Sequence, residues 1–181
     1  MFDLQIILEA IWLMCPAYFA NMAPVICRNI LPKFAFPLDF NKSLGGKPIL
    51  GKNKTFRGLV CGLVFAIIIA RIQFLLKDLF VIKSISILDY NNWLIIGILL
   101  GSGALTGDAV KSFIKRRMNI APGNSLAFFD QIDFVVGALA FIFIIRKLDW
   151  IFISAAIIVS YALNVIVNYI SYSLKIRRDK W

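Results

Sequence analysis

The middle of this sequence brings acidic, basic and hydroxyl side chains together in a chain that is otherwise apolar. The stretch GDAVKSFIKRRMNIAPGNSLAFFDQID, residues 107–133, contains Asp108, Ser112 and Lys115 at steps of four and three. These steps put the three side chains on one face of a helix. Carboxylates without histidine or cysteine suit Mg²⁺, which usually takes one or two carboxylates together with substrate phosphates. Lysine and arginine beside such an ion hold phosphates, so the residue types predict metal-assisted chemistry on a phosphate.

A second pair of carboxylates ends this stretch. Asp130 and Asp133 lie three residues apart and also share a helix face. The dipeptide at 122–123, Pro-Gly, predicts a turn, and a turn there would bring carboxylates from two helices together at the membrane boundary. The alternative is purely structural: Asp130 and Asp133 pair with Lys115 or Arg116 and only hold the helical hairpin together.

An earlier polar stretch offers a second place for an anion. The sequence GKPILGKN from Gly46 nearly matches a Walker A loop, but Asn53 stands where a Ser or Thr should bind the metal, and no strand precedes it. The following NKTFRG opens a predicted helix, whose first N–H groups and dipole favour an anion near Asn53, Lys54 and Thr55. The alternative is that this basic loop serves only as an orientation or headgroup signal.

The composition is that of an integral membrane protein. Of 181 residues, 60% are hydrophobic and 17% charged, against about 45–50% and 25% in an ordinary soluble domain. The net charge of +10 then reflects orientation signals and anionic headgroups, and we expect no nucleic-acid partner. The chain is predicted to be one all-α domain, residues 1–181, with five membrane-length helices. Their predicted bounds are Leu4–Cys27, Phe56–Leu76, Trp93–Phe113, Leu126–Ile145 and Trp150–Leu174.

The basic residues predict an orientation, because lysine and arginine near helix ends prefer the cytoplasm. They concentrate in the first loop, the third link and the C-terminal tail: Arg28, Lys33, Lys42, Lys47, Lys52, Lys54 and Arg57; Lys111, Lys115, Arg116 and Arg117; Lys175, Arg177, Arg178 and Lys180. The N-terminus should therefore be outside and the C-terminus cytoplasmic. Glycines spaced four apart predict close helix packing in lipid, at Gly58 and Gly62, Gly97 and Gly101, and Gly103 and Gly107.

The two polar regions resemble a known family. The run SFIKR from Ser112, followed by DQID from Asp130, resembles the S-x-x-K-R and D-R-x-D signature of the membrane cytidylyltransferases, the CDP-diglyceride synthetases. Four shorter runs resemble their archaeal branch, the CDP-archaeol synthases: PLD at Pro37, GKP at Gly46, NKTFRG at Asn53 and PGNS at Pro122. Gln131 departs from the wider family's arginine, and the K-D and H-G-G elements expected before the aspartates are absent, with Asp108 upstream instead.

The resemblance implies a reaction and a set of roles. CTP and an isoprenoid ether lipid phosphate, of the 2,3-di-O-geranylgeranylglyceryl type, give a CDP-lipid and pyrophosphate with Mg²⁺ at the cytoplasmic face of the cell membrane. The implied Mg²⁺ ligands are Asp108, Asp130 and Asp133. The implied phosphate-positioning residues are Ser112, Lys115 and Arg116. The residues implied to hold the CTP triphosphate or the lipid phosphate are Asn53, Lys54, Thr55 and Arg57. The backbone implied to border the cytosine is at Pro122, Gly123 and Asn124.

Two other classes of function are open to a chain of this kind. A small transporter or ion pathway would use Asp108, Asp130 and Asp133 as intramembrane carriers and would need polar groups through the outer half of the membrane as well. The sequence offers only scattered candidates there: Glu9, Arg71, Asn164 and Asn168. A CDP-alcohol phosphotransferase is excluded because its D-G-x-x-A-R signature is missing.

Overall fold

The computed structural model describes residues 3–27, 32–120 and 129–173. Its helices are α1 (Leu4–Ile26), α2 (Phe56–Leu76), α3 (Phe80–Ile85), α4 (Trp93–Arg117), α5 (Phe129–Ile142) and α6 (Trp150–Ser173), with 3₁₀ turns at Pro32–Phe34 and Tyr90–Asn92 and the short strands β1 (Ser43–Leu44) and β2 (Lys47–Pro48). The predicted all-α membrane class is confirmed. Several predictions fall outside the described residues: those for Pro122, Gly123, Asn124, Arg28, and the basic tail from Lys175.

The five predicted segments correspond to α1, α2, α4, α5 and α6. The bounds of α2 are those predicted, and α4 continues past Phe113 to Arg117. Within the described residues, four helices are long and apolar enough to cross a membrane, namely α1, α2, α4 with its preceding 3₁₀ turn, and α6. The described part of α5 has 14 residues, or about 21 Å. The short helix α3 and the β1–β2 hairpin were not predicted.

Helix α1 lies against all four of the other long helices. The pairs α2–α4, α4–α5 and α5–α6 are neighbours in that order, and α1 contacts α2, α4, α5 and α6. Its buried face carries small residues, including Ala10, Ala17 and Ala20, beside Leu13 and Met14. Small side chains let helices approach closely where lipid supplies no hydrophobic drive for association. The bundle is therefore built around the alanine-rich face of α1.

A proline in α1 creates a polar contact with α2. Pro16 lies inside the helix and has no N–H, so the Trp12 carbonyl loses its intrahelical donor. The Gln73 side chain on α2 donates to that carbonyl from Nε2, at 2.6 Å. A polar side chain in the membrane region thus satisfies a backbone group that would otherwise lack a partner.

Helices α4 and α5 are in backbone contact, and this contact positions the polar residues. A Cβ on Gly103 would lie 2.5 Å from the Gly137 carbonyl oxygen and 2.8 Å from the Cα of Ala138. A Cβ on Gly107 would overlap the carbonyl oxygen of Asp133, and one on Gly137 would overlap that of Gly103. No side chain separates the two helices at these points. The ends of α4 and α5 that carry the acidic residues are therefore held side by side.

The first loop is closed by a buried carboxylate. The Asp39 side chain, 7% exposed, accepts the N–H of Asn41 at 3.0 Å, of Leu50 at 2.9 Å and of Gly51 at 2.8 Å. Burial acts to raise the pKa of this carboxyl, but the backbone N–H groups outweigh it and hold the pKa below its usual value. Asp39 therefore stays ionised and ties the two ends of residues 39–51 together.

Arg117 attaches the same loop to the end of α4. Its guanidinium donates to the carbonyls of Leu44 and Pro48, each at 2.6 Å, and of Lys47 at 3.1 Å, and the Lys47 ammonium donates to the Arg117 carbonyl at 3.2 Å. The hairpin that receives these bonds turns at residues 45–46, two glycines with φ of 58° and 75°, as a two-residue turn with positive φ requires. The loop between α1 and α2 is thus fixed over the carboxyl end of α4.

We expect Gly107→Ala to weaken the α4–α5 contact, because the added Cβ overlaps the Asp133 carbonyl oxygen on a neighbouring backbone. Forcing such helices apart should cost about 1–3 kcal/mol of stability and lower the thermal unfolding midpoint in detergent. Gly58→Ala is the control, since the nearest atom to its Cβ is 3.3 Å away on the Pro24 side chain. An unchanged midpoint for Gly107→Ala would show that α4 and α5 can accommodate a Cβ at this position without loss of stability.

Candidate active site

Asp108, near the cytoplasmic end predicted for α4, joins that helix to the start of α2. Its Oδ2 forms an ion pair with Lys54, which precedes α2. Its Oδ1 lies 3.1 Å from the Nζ of Lys111, one turn further along α4. The Lys54 backbone is held in turn, since its carbonyl accepts the N–H of Leu38 at 2.7 Å. The hydrogen bonds by which Asp39 and Arg117 fix the first loop, called the clamps below, therefore bring Lys54 to the helix that carries Asp108.

The carboxylates of α5 meet the same lysines. Asp130 accepts two hydrogen bonds from the Lys115 ammonium, at 2.9 and 2.8 Å, and its Oδ1 lies 3.5 Å from Lys111 Nζ. Asp133 Oδ2 lies 2.8 Å from Lys111 Nζ. The structure therefore brings both carboxylates together with Asp108 around Lys111. Of the pairs expected with Lys115 or Arg116, only the one between Asp130 and Lys115 is found among the described residues.

We call this group of six residues the charge cluster. Its members are Lys54, Asp108, Lys111, Lys115, Asp130 and Asp133. Three carboxylates and three ammonium groups make it neutral when all are ionised. Charges near a membrane interior are tolerated when they pair with one another. The cluster therefore holds six ionised groups at one end of the bundle with no net charge among them.

The cluster fits a hard cation, although no three carboxylates are preassembled as a metal site within the described residues. The donors that converge are all carboxylate oxygens, the ligands that Mg²⁺ prefers. Asp133 Oδ1 is buried and has no hydrogen-bond partner among the residues described. A cationic group, the Lys111 ammonium, already lies between the three acids. The residues therefore suit a magnesium ion once the ammonium groups shift.

Arg116 is the one buried basic side chain at this end for which no ion pair is found in the described ranges. It is 7% exposed, and its Nε lacks a hydrogen-bond partner among the residues described. Its neighbour Lys115 is equally buried but is paired with Asp130. A buried cation without a counter-ion is costly. The geometry thus leaves Arg116 ready to bind an anion.

A cavity of about 1410 Å³ opens on the cluster. Its apolar lining includes Met22, Leu63 and Leu105 from three helices, and its polar lining includes Asn164 and Asn168 from α6. A single small-molecule site usually measures about 300–1,000 Å³, so this cavity has room for two substrates. The predicted site residues that line it are Asn53, Lys54, Thr55, Arg57, Asp108, Ser112, Lys115, Arg116 and Asp130.

Two of the predicted hydroxyl residues contact backbone. Thr55 is the N-cap of α2, and its Oγ1 accepts the Gly58 N–H at 3.1 Å. The Ser112 hydroxyl donates to the Asp108 carbonyl at 2.9 Å. Such bonds satisfy or bend helix backbone. Thr55 and Ser112 thus fix the two helix segments that carry Lys54 and Asp108.

Sequence reasoning missed Lys111, which contacts all three carboxylates. The signal was present, because Lys111 lies three residues after Asp108 and four before Lys115 and so shares their helix face. It had been counted only among the basic residues that set orientation. The clamps made by Asp39 and Arg117 had no such signal, because they bind backbone groups that any sequence carries.

Comparison with known proteins gives matches along nearly the whole sequence. The family described as CarS-like, CDP-archaeol synthase, matches residues 3–181. The CDP-archaeol synthase of Methanocaldococcus jannaschii is 32% identical over 98% of this chain and 98% of its own. Those of Archaeoglobus fulgidus and Pyrococcus furiosus are each 33% identical, over 98% and 97% of this chain and 99% and 98% of their own.

A solved structure supports the same assignment at the level of the fold. It is described as an intramembrane enzyme for archaeal membrane lipids biosynthesis, and it superposes with a TM-score of 0.71 at 30% identity, over 90% of this chain and 94% of that one. Sequence and fold thus agree across nearly the full length, and the chain belongs to the CarS-like family of CDP-archaeol synthases.

Proposed function

We propose that the charge cluster and Arg116 are the site at which this membrane-embedded cytidylyltransferase joins CTP to an isoprenoid ether lipid phosphate. The observation that carries the proposal is the meeting of three carboxylates, three lysines and Arg116 at one end of the bundle, where all of them except Asp133 line one cavity. No ion pair is found for Arg116 among the described residues. Lysine and arginine are the side chains that commonly bind phosphates. The apolar lining by α1, α2 and α4 offers the lipid a path to the same place.

The reaction needs little from the protein besides position and charge. An oxygen of the lipid phosphate attacks the α-phosphorus of CTP, the bond to the β-phosphate oxygen breaks, and pyrophosphate leaves. Such transfers are accelerated by holding the reactants in line and neutralising the charge on the phosphates. No covalent nucleophile is required, which agrees with a chain that contains no histidine. Lys54, Lys115 and Arg116 supply positive charge where the phosphates gather.

Asp108, Asp130 and Asp133 are the residues that would hold Mg²⁺. When bound, the ion supplies charge neutralisation on the phosphate oxygens. The α2 start adds the partial positive charge of a helix N-terminus, at Asn53 and Thr55. Pro122, Gly123 and Asn124 stay a prediction for the cytosine.

The active site is proposed to face the cytoplasm. The first loop and the end of α4 carry most of the described basic residues outside the cluster, and Lys54 and Arg117 place both at the same end of the bundle. Basic loops of this kind are retained on the cytoplasmic side. CTP is made and kept in the cytoplasm, so this orientation gives the nucleotide direct access.

Asp133→Asn is expected to keep the fold and lower cytidylyl transfer at least about 100-fold, because the amide has the same shape but lacks the charge that a magnesium ion needs. The assay follows labelled CDP-lipid formed from CTP, lipid phosphate and Mg²⁺ by purified protein. Asp149→Asn, at the opposite end of the bundle, is the control and should match the wild type. A wild-type rate for Asp133→Asn would remove Asp133 from the site.

Arg116→Met is expected to separate activity from stability. Losing an anion-binding cation should lower kcat/KM for CTP or for the lipid phosphate about 100-fold. Removing a buried charge for which no ion pair is found among the described residues should leave the thermal midpoint unchanged or raise it. Arg146→Met, an exposed residue beyond α5, is the control for both measurements. A lower midpoint together with normal turnover would make Arg116 a structural residue instead.

Orientation is tested by labelling single cysteines in a chain whose Cys15, Cys27 and Cys61 have been replaced. A cysteine at exposed Lys42 should resist a membrane-impermeant maleimide in intact cells and react in inverted vesicles. Asp149→Cys, at the other end of the bundle, should show the reverse. Labelling of Lys42→Cys in intact cells would place the site on the outside of the membrane.

A further inference from the structure

Lys111 occupies the centre of the charge cluster. Its ammonium lies 2.8 Å from Asp133 Oδ2, 3.1 Å from Asp108 Oδ1 and 3.5 Å from Asp130 Oδ1. A single positive group therefore contacts one oxygen of each carboxylate that the proposed function assigns to the metal. The side chain belongs to α4 and bridges to α5.

Lys111 also links Asp133 to the lining of the substrate cavity. Asp108, Asp130 and Lys111 line the cavity, whereas Asp133 is not among its lining residues. The Asp133 side chain is 7% exposed and is paired with Lys111, which is a lining residue. A cation arriving from the cavity thus reaches lining residues, Lys111 among them, before it reaches the third carboxylate.

The charges of the cluster oppose the entry of a bare divalent ion. With Lys54, Lys111 and Lys115 in place, the three carboxylates are already neutralised. An added divalent ion would bring two further positive charges to a poorly solvated site, where like charges repel strongly. A nucleotide changes this balance, because its triphosphate brings negative oxygens that bind both the ion and the displaced ammonium groups.

We propose that Lys111 holds the position of the metal in the enzyme without nucleotide and gives it up only when the triphosphate arrives. This inference rests on the proposed function and adds an order of binding: the divalent ion enters together with CTP and not before it. Lysine suits the role, since its ammonium is a compact charge on a flexible four-carbon stem. Lys111 is thus a positioning residue that keeps the three acids together before the substrate binds.

The inference is tested by titrating Mn²⁺, as a spectroscopic stand-in for Mg²⁺, into the purified full-length protein and measuring bound ion by electron paramagnetic resonance. Each titration is run without nucleotide and with an α,β-methylene analogue of CTP that cannot be cleaved. Without the analogue, the wild type should bind Mn²⁺ weakly. With the analogue, its affinity for Mn²⁺ should rise at least about tenfold after correction for the Mn²⁺ that the analogue binds by itself in solution.

Lys111→Met is the informative variant, because it removes the ammonium and keeps most of the apolar stem. Without nucleotide it should bind Mn²⁺ at least about tenfold more tightly than the wild type, and Mn²⁺ should raise its thermal midpoint by more than it raises that of the wild type. Lys111→Arg, which keeps the charge, should stay weak. Lys83→Met, on α3 and away from the cluster, should behave as the wild type.

Two results would overturn the inference: wild-type protein that binds Mn²⁺ as tightly without the analogue as with it, or equal affinities in wild type and Lys111→Met. The wild-type comparison alone decides the matter if Lys111→Met does not fold. Failure here is distinct from failure of the proposed function. Tight binding of Mn²⁺ to nucleotide-free wild type, with Asp133→Asn still inactive, rejects only the order of binding. An active Asp133→Asn rejects the site itself.

Discussion

The backbone contact between α4 and α5 is the constraint on which the site depends. At Gly103, Gly107 and Gly137 the two helices meet without a side chain between them, and the carbonyl that Gly107 touches is that of Asp133. At the ordinary interaxial distance of about 8–10 Å, a lysine on one helix would not be held against all the carboxylates of the other. At this closer distance, Lys111 contacts its own helix's Asp108 and both acids of α5. The contacts within the charge cluster therefore depend on the absence of a Cβ at these three glycines.

The loop between α1 and α2 completes the cluster by a different physical means. Its polar groups lie outside the apolar helices, so the hydrophobic pattern does not fix them. Asp39 closes the loop on itself, and Arg117 binds it to the end of α4. In both clamps a charged side chain is hydrogen-bonded to backbone groups, and such bonds are stronger than hydrogen bonds between neutral groups. Lys54 gains a fixed position from these bonds, and helix α2 brings its positive end to the same cavity.

Sequence reasoning recovered the fold well and the site in part, for identifiable reasons. The bounds of α2 followed from an apolar run of membrane length, and the face shared by Asp108, Ser112 and Lys115 followed from helical periodicity. The glycine pair at 103 and 107 predicted close packing but could not name Gly137 as its partner, because spacing within one helix says nothing of its neighbour. Lys111 was missed because charge near a membrane boundary has two uses, orientation and chemistry, and a count of basic residues reports only the first.

The position of the charged residues also separates a transferase from a pathway. An ion pathway needs polar groups along the whole depth of the membrane, whereas the charge cluster gathers at one end of the bundle. Asn164 and Asn168, which had been candidates for the other half, line the cavity of the cluster. Glu9 is bonded to Gln5 of its own helix, and Arg71 lies over the rings of Phe74 and Trp93.

The polar side chain buried deepest between α1 and α2 has a structural explanation as well. Gln73 donates a hydrogen bond to the Trp12 carbonyl, which has no intrahelical donor because of Pro16. Its role is therefore structural, and it need not belong to an ion pathway. Among the described residues, the buried ion pairs therefore gather at one end of the bundle, beside the cavity that the proposed function assigns to CTP and the lipid phosphate. This arrangement suits group transfer at a membrane surface, whereas an ion pathway would need polar groups through the whole depth of the membrane.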